Sequence, residues 1–208
     1  MKKESVFVLL FSILSPTSAF SLDETSEPLQ AHSLEIDGQV HSIELGRPLV
    51  LSGSFTNPTV KLIAASTRHF EKAGVEFNYP ASFTWEADVE DREAKSWTLS
   101  GNDFKIMVFS LGTRMTADSY SKLLATKFGV ENTKVSPVER KLGKNTYEGR
   151  LLRTTLVGTA ISQEVFEFTS ESASRLIVFS DTLPDGKNAS SEAQDALHMV
   201  TQSFKIQE

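Results

Sequence analysis

Phe104, Ile106 and Val108 alternate with Met107, Phe109 and Leu111, so this stretch is apolar on both of its faces. Successive side chains of a strand point to opposite sides. A strand apolar on both sides belongs inside a sheet that is covered above and below. That requirement organises the chain from Val75 to Leu111. Phe83, Trp85, Ala87 and Val89 recur at period two with Thr84, Glu86 and Asp88 between them, which predicts a strand with one buried and one wet face. Trp97 and Leu99 repeat the pattern. Gly101-Asn102 supplies residues that tolerate the positive φ of a hairpin turn. The stretch from Val75 therefore predicts an antiparallel meander with an interior strand.

Two later segments carry helical spacing. Thr116 is positioned to cap a helix in which Tyr120, Leu123, Leu124 and Phe128 share a face and Gly129 ends the run. Ser191, with Gln194 three residues on, opens a second helix whose stripe is Ala193, Ala196, Leu197, Val200 and Phe204. Between them, Tyr147–Val157, Ala160–Thr169 and Arg175–Ser180 read as long strands turned at Gly158-Thr159 and at Glu171 to Ser174. Thr133 to Lys144 reads as a loop or a weak edge strand. Near the start, Asp37-Gly38 between Ser33–Ile36 and Gln39–Leu45 is a hairpin signal. Residues 59–73 stay open between helix and strand. Asn57, Pro58 and Gly74 are helix punctuation, while Val60, Leu62 and Ala64 alternate as a strand would.

The N-terminus has the pattern of an export signal: Lys2 and Lys3, an apolar run from Val6 to Leu14, and small residues up to Ala19. The apolar run is shorter than the roughly 20 residues of a spanning helix. The chain contains no cysteine, so neither a lipidated cysteine nor a disulfide is available and stability has to come from a packed core. Its formal net charge of −6 is the wrong sign for a nucleic-acid partner. The expected organisation is a signal peptide over residues 1–19, a flexible leader over 20–32, an N-terminal hairpin extension over 33–66, and one α+β domain over 67–208. The expected location is periplasmic or secreted.

Gly74-Val75-Glu76-Phe77-Asn78-Tyr79-Pro80 precedes the aromatic-bearing strand, and the closing amphipathic helix ends in Ser203-Phe204. With the order strands, helix, long strands, helix, the chain resembles the PsbP/Mog-like superfamily over about Phe70 to Phe204. That superfamily includes DcrB-like bacterial envelope proteins. The resemblance implies an α/β/α sandwich with an antiparallel central sheet, and a non-catalytic binding or assembly role. It carries over no site residue position by position.

Chemistry-bearing patterns are sparse. His32, His41, His69 and His198 show no metal-ligand spacing, and His198 beside the second helix's apolar stripe reads as a helix-packing or solvent-edge residue. No Gly-x-Ser-x-Gly element and no phosphate-cradling glycine loop occurs. The acidic cluster Asp88, Glu90, Asp91 and Glu93 lacks a calcium-loop pattern and is broken by Arg92. Neither a cofactor nor a metal is expected. The aromatic residues remain: Phe83, Trp85, Phe104 and Ile106 are the candidate wall of a groove for a ligand or partner, and core packing is the bland account of the same residues. The leading expectation is an exported non-enzymatic accessory protein that binds a protein partner. A carrier of a small apolar or lipid-like ligand, and a hydrolase with a dispersed Ser/His site, are the alternatives.

Overall fold

The computed structural model describes residues 23–43, 47–50, 57–169 and 174–207. The expected signal peptide lies outside them. Strands β1 (His32–Ile36), β2 (Gln39–Ile43) and β3 (Val60–Ala64) form a small sheet in the order β2-β1-β3. Strands β4 (Thr67–Lys72) and β5 (Val75–Pro80) form a second sheet, extended on the free side of β5 by β13 (Lys205–Ile206). The main sheet has seven strands in the order β6 (Thr84–Asp88), β7 (Ala94–Ser100), β8 (Phe104–Leu111), β12 (Ser174–Thr182), β11 (Thr159–Thr169), β10 (Asn145–Leu156) and β9 (Thr133–Leu142). Helices α1 (Ala117–Phe128) and α2 (Ser191–Ser203) complete the described elements.

This corrects the expected fold class. Among the described residues, thirteen strands in three antiparallel sheets stand against two helices, so the protein is β-rich and is not a helix-rich α/β/α sandwich. The difference comes from segments where two readings competed. Residues 59–73 are strands β3 and β4, because the alternation of Val60 to Ala64 pairs with β1 and Thr67 to Lys72 pairs with β5. Ala73 and Gly74, both at positive φ, make the tight turn between β4 and β5 instead of ending a helix. Thr133 to Leu142 is the full-length edge strand β9, paired along its length with β10. Residues 75–111 are also not one meander. The chain turns at Pro80, where the Phe83 N–H donates to the Pro80 carbonyl, and leaves the β13-β5-β4 sheet for the main one.

The larger core fills the space between one face of the main sheet and a lid made of α2 and the β4–β5 hairpin. Phe70, Phe77 and Tyr79 come from the hairpin, Trp97, Ile106, Phe166 and Phe179 from the main sheet, and Ala193, Ala196, Val200 and Phe204 from α2 and its end. Small residues in the first turns of α2 bring its axis close to the sheet, and Phe204 fills the wider end. On the opposite face, α1 packs over Leu152, Val165, Leu176 and Val178. It turns Ala117, Ser121 and Ala125 inward and leaves Leu123 exposed. Of the expected face, Tyr120 and Leu124 pack against this core while Leu123 does not, and the small residues beside them permit close approach. The cap of α2 is Ser190, one residue before the expected Ser191. Its Oγ accepts from the Ala193 N–H at 3.0 Å and donates to the buried Asp181 carboxylate at 2.7 Å, and that second bond selects Ser190 as the cap.

Candidate functional site

An open groove lies where the β9–β10 turn meets the end of α2. The turn needs Gly143 at φ +59°, and its N–H donates to the Thr201 carbonyl at 2.8 Å, capping an orphan carbonyl of the helix end. A Cβ on Gly143 would sit 2.2 Å from the Phe204 carbonyl oxygen, so only glycine permits this approach. The Phe204 ring then turns inward against Phe168 (centroids 5.2 Å apart), Tyr147 (6.1 Å) and Phe77 (6.4 Å). What remains outside is a groove of about 740 Å³ with Leu142, Tyr147 and Phe204 along its floor.

Lys141, Lys144 and Lys205 also line this groove. Lys205 is held at 2.9 Å by Glu76, and its ammonium hydrogen bond is the main reason the Glu76 carboxyl sits below its usual pKa. Lys141 and Lys144 are exposed and have no carboxylate within ion-pair distance among the described residues. Part of this charge complements the negative end of the α2 dipole, since the last turn of α2 holds no basic residue of its own. Two ammonium groups beside half-buried Tyr147 form a local positive site on a chain whose net charge is −6. Such a site attracts carboxylate- or phosphate-bearing groups and gives any apolar part a surface to rest on. Ser203, which also lines the groove, donates its hydroxyl to the Met199 carbonyl at 2.7 Å and accepts the Asn78 N–H at 2.8 Å.

The residues singled out from sequence are placed elsewhere. Phe83, Phe104 and Ile106 are at most 2% exposed and belong to the core, with the Phe83 and Phe104 rings 6.5 Å apart. Trp85 is half-buried against Phe70 at 5.9 Å, and its Nε1–H donates to the Thr25 carbonyl at 2.9 Å. The four do not surround one open cavity. Phe83 borders a shallow opening beside Glu192 and Met199, and Phe104 a small one of about 130 Å³ beside Arg140 and Leu197. His69 bonds Asn78 at 2.9 Å and Glu76 at 3.3 Å, and His198 contacts Gln202 at 3.0 Å. In the acidic cluster, Asp91 accepts from the Glu93 N–H within its own loop. The groove lysines escaped the sequence reading because the turn and α2 are about 60 residues apart along the chain. The available signal was Lys-Leu-Gly-Lys-Asn followed by Tyr147, a glycine turn flanked by cations.

No family model matches the chain, and no curated protein matches it. The PsbP/Mog-like resemblance therefore rests on the residues that suggested it. Among solved structures, a protein of Bacteroides thetaiotaomicron is 10% identical with a TM-score of 0.38, over 69% of this chain and 50% of that one. This chain thus spans about half of that protein's length. LpqN, described as involved in cell envelope biogenesis of Mycobacterium tuberculosis, is 14% identical with a TM-score of 0.40, over 68% of this chain and 90% of that one. Likeness at this level transfers neither activity nor site residues. No helix among the described residues is long and apolar enough to cross a membrane.

Proposed function

We propose that this chain is an exported, non-enzymatic binding protein of the cell envelope. It engages a protein partner through the groove between the β9–β10 turn and the end of α2. The observation that carries the reading is the pair of exposed lysines, Lys141 and Lys144, beside half-buried Tyr147 in this groove. They suit a partner segment that presents carboxylates together with an apolar side chain. Export is supported by the Lys2-Lys3 and Val6–Leu14 pattern. The face suggested for an apolar carrier is occupied by packed rings, which favours a partner at the surface over a ligand in the interior.

A photo-crosslinking residue placed at position 144 in living cells tests this. The control position is 157, whose side chain is fully exposed at the far end of β10. A discrete adduct from position 144 that vanishes with Lys141→Glu, and is absent from position 157, is the expected result. Adducts from neither position, or equally from both, overturn the proposal.

A further inference from the structure

The segment Asp23–Glu27 lies against the place where the β4–β5 hairpin meets β6 and β7, and it is held chiefly through its main chain. Three successive carbonyls each accept a side-chain donor: Asp23 from Lys72 Nζ at 3.0 Å, Glu24 from Trp97 Nε1 at 2.8 Å, and Thr25 from Trp85 Nε1 at 2.9 Å. Trp97 is 1% exposed, so its indole N–H is a fixed donor aimed out of the core. Two carboxylates are read as well, Glu24 by Lys95 at 2.6 Å and Glu27 by Arg68. All five of its residues nonetheless stay on the exposed side. It behaves as a polar ligand tethered to its own receptor.

The seat also holds donors that this segment leaves unused. Arg68 reaches Glu27 through Nη1, while its buried Nε has no hydrogen-bond partner among the described residues. Directly across the β4–β5 pair, the hydroxyl of fully buried Tyr79 also lacks a partner there. Burial pushes that phenol up to about 12, with the Arg68 charge pulling the other way. Buried unpaired polar atoms are uncommon and call for an explanation, and a carboxylate that took both edges of the guanidinium would bind more strongly than one that takes a single nitrogen.

We propose that this cleft is a recognition site for acidic, extended peptide segments, filled in cis by Asp23–Glu27 and in trans by a partner segment with carboxylates three residues apart. The tether gives the cis segment an effective concentration on the order of millimolar. A free copy of the same sequence competes only at comparable concentration, and a partner displaces it by using the spare Arg68 and Tyr79 donors. The site is separate from the lysine groove, and its test does not depend on that reading.

The probe is a spin-labelled peptide spanning residues 22–28, added to isotope-labelled chain from residue 20 onward. Trp85 and Trp97 are the chain's two tryptophans, so its two indole N–H resonances report on the seat directly. The expected result has three parts. At millimolar peptide both indole resonances broaden. Glu24→Gln with Glu27→Gln, which loosens the cis segment, tightens peptide binding at least tenfold. Adding Lys95→Glu reverses that gain. If the loosened variant does not fold, the broadening measured on the unaltered chain decides alone. Indole resonances that stay sharp, or an all-amide peptide (Asp and Glu replaced by Asn and Gln) that binds as well as the acidic one, overturn the proposal.

Discussion

Glu192, in the first turn of α2, ties that helix to the β7–β8 turn. Its Oε1 accepts the Asn102 N–H at 3.0 Å, and its Oε2 accepts those of Asp103 at 2.7 Å and Phe104 at 2.9 Å. A single hydrogen bond to a charged group contributes a net ~1.5–3 kcal/mol. The three do not add, because the Asn102 and Asp103 bonds are exposed and those N–H groups can turn to water. The Phe104 N–H is part-buried at the start of β8, beside a ring that is 1% exposed, and it would be left poorly solvated. Glu192→Ala should therefore destabilise the protein by about 2–3 kcal/mol, with a small part of that from the lost complement to the α2 dipole. Burial raises the Glu192 carboxyl pKa, but the three backbone donors together outweigh burial and hold it below its usual value. A carboxylate depressed in the folded state stabilises fully above its unfolded pKa, and that contribution disappears as pH falls through the folded value. Urea unfolding of both proteins at pH 7 and at successively lower pH measures this. The gap between them should be widest at pH 7 and should narrow below the ordinary glutamate pKa of about 4.3. A difference below about 0.5 kcal/mol at pH 7, the range of ordinary surface substitutions, would refute the clamp. So would a gap that does not change with pH.

Two further substitutions probe the floor and rim of the groove. Phe204→Ala removes a ring that is 4% exposed and packed against three others, and should lower stability by about 3–5 kcal/mol. An unchanged thermal midpoint would show that α2 is not anchored there. Gly143→Ala forces a β-carbon toward the Phe204 carbonyl at positive φ, and should lose about 1–3 kcal/mol from backbone strain alone. A urea midpoint equal to that of the parent would mean that the turn does not dock on the helix end.

Strong, local signals were legible in the sequence. The two-sided apolar pattern of Phe104 to Leu111 is the interior strand β8, and the stripe from Ala193 to Phe204 is the buried side of α2 and its end. Asp37-Gly38, both at positive φ, turn β1 into β2. Signals whose meaning depends on a distant partner were not legible. Asn57, Pro58 and Gly74 punctuate a helix on paper, but Val60 to Ala64 gains more by pairing with β1, a tertiary preference that local propensity does not contain. The aromatic cluster was visible, and its division was not. Phe83, Phe104 and Ile106 went to the core, while Trp85 and Trp97 became hydrogen-bond donors to the segment that had read as a flexible leader. The lysine groove has no local signature because two elements distant in sequence compose it.

The order of strands in the main sheet also bears on how the chain reaches this structure. β6-β7-β8 and β9-β10-β11-β12 are each runs of neighbours in sequence, and they meet at the single seam between β8 and β12. Each run can assemble from nearby residues, but the seam joins positions about 70 residues apart, from Leu111 with Ser174 to Phe104 with Asp181, so its closure pays the largest loop entropy in the sheet. Ile106 and Phe179 face each other across it, so the seam is also where the central core first becomes continuous. Folding is thus arranged as two quick local assemblies and one slow join. Until that join is made, β8 and β12, both carrying buried apolar side chains, present free edges to whatever lies beside them.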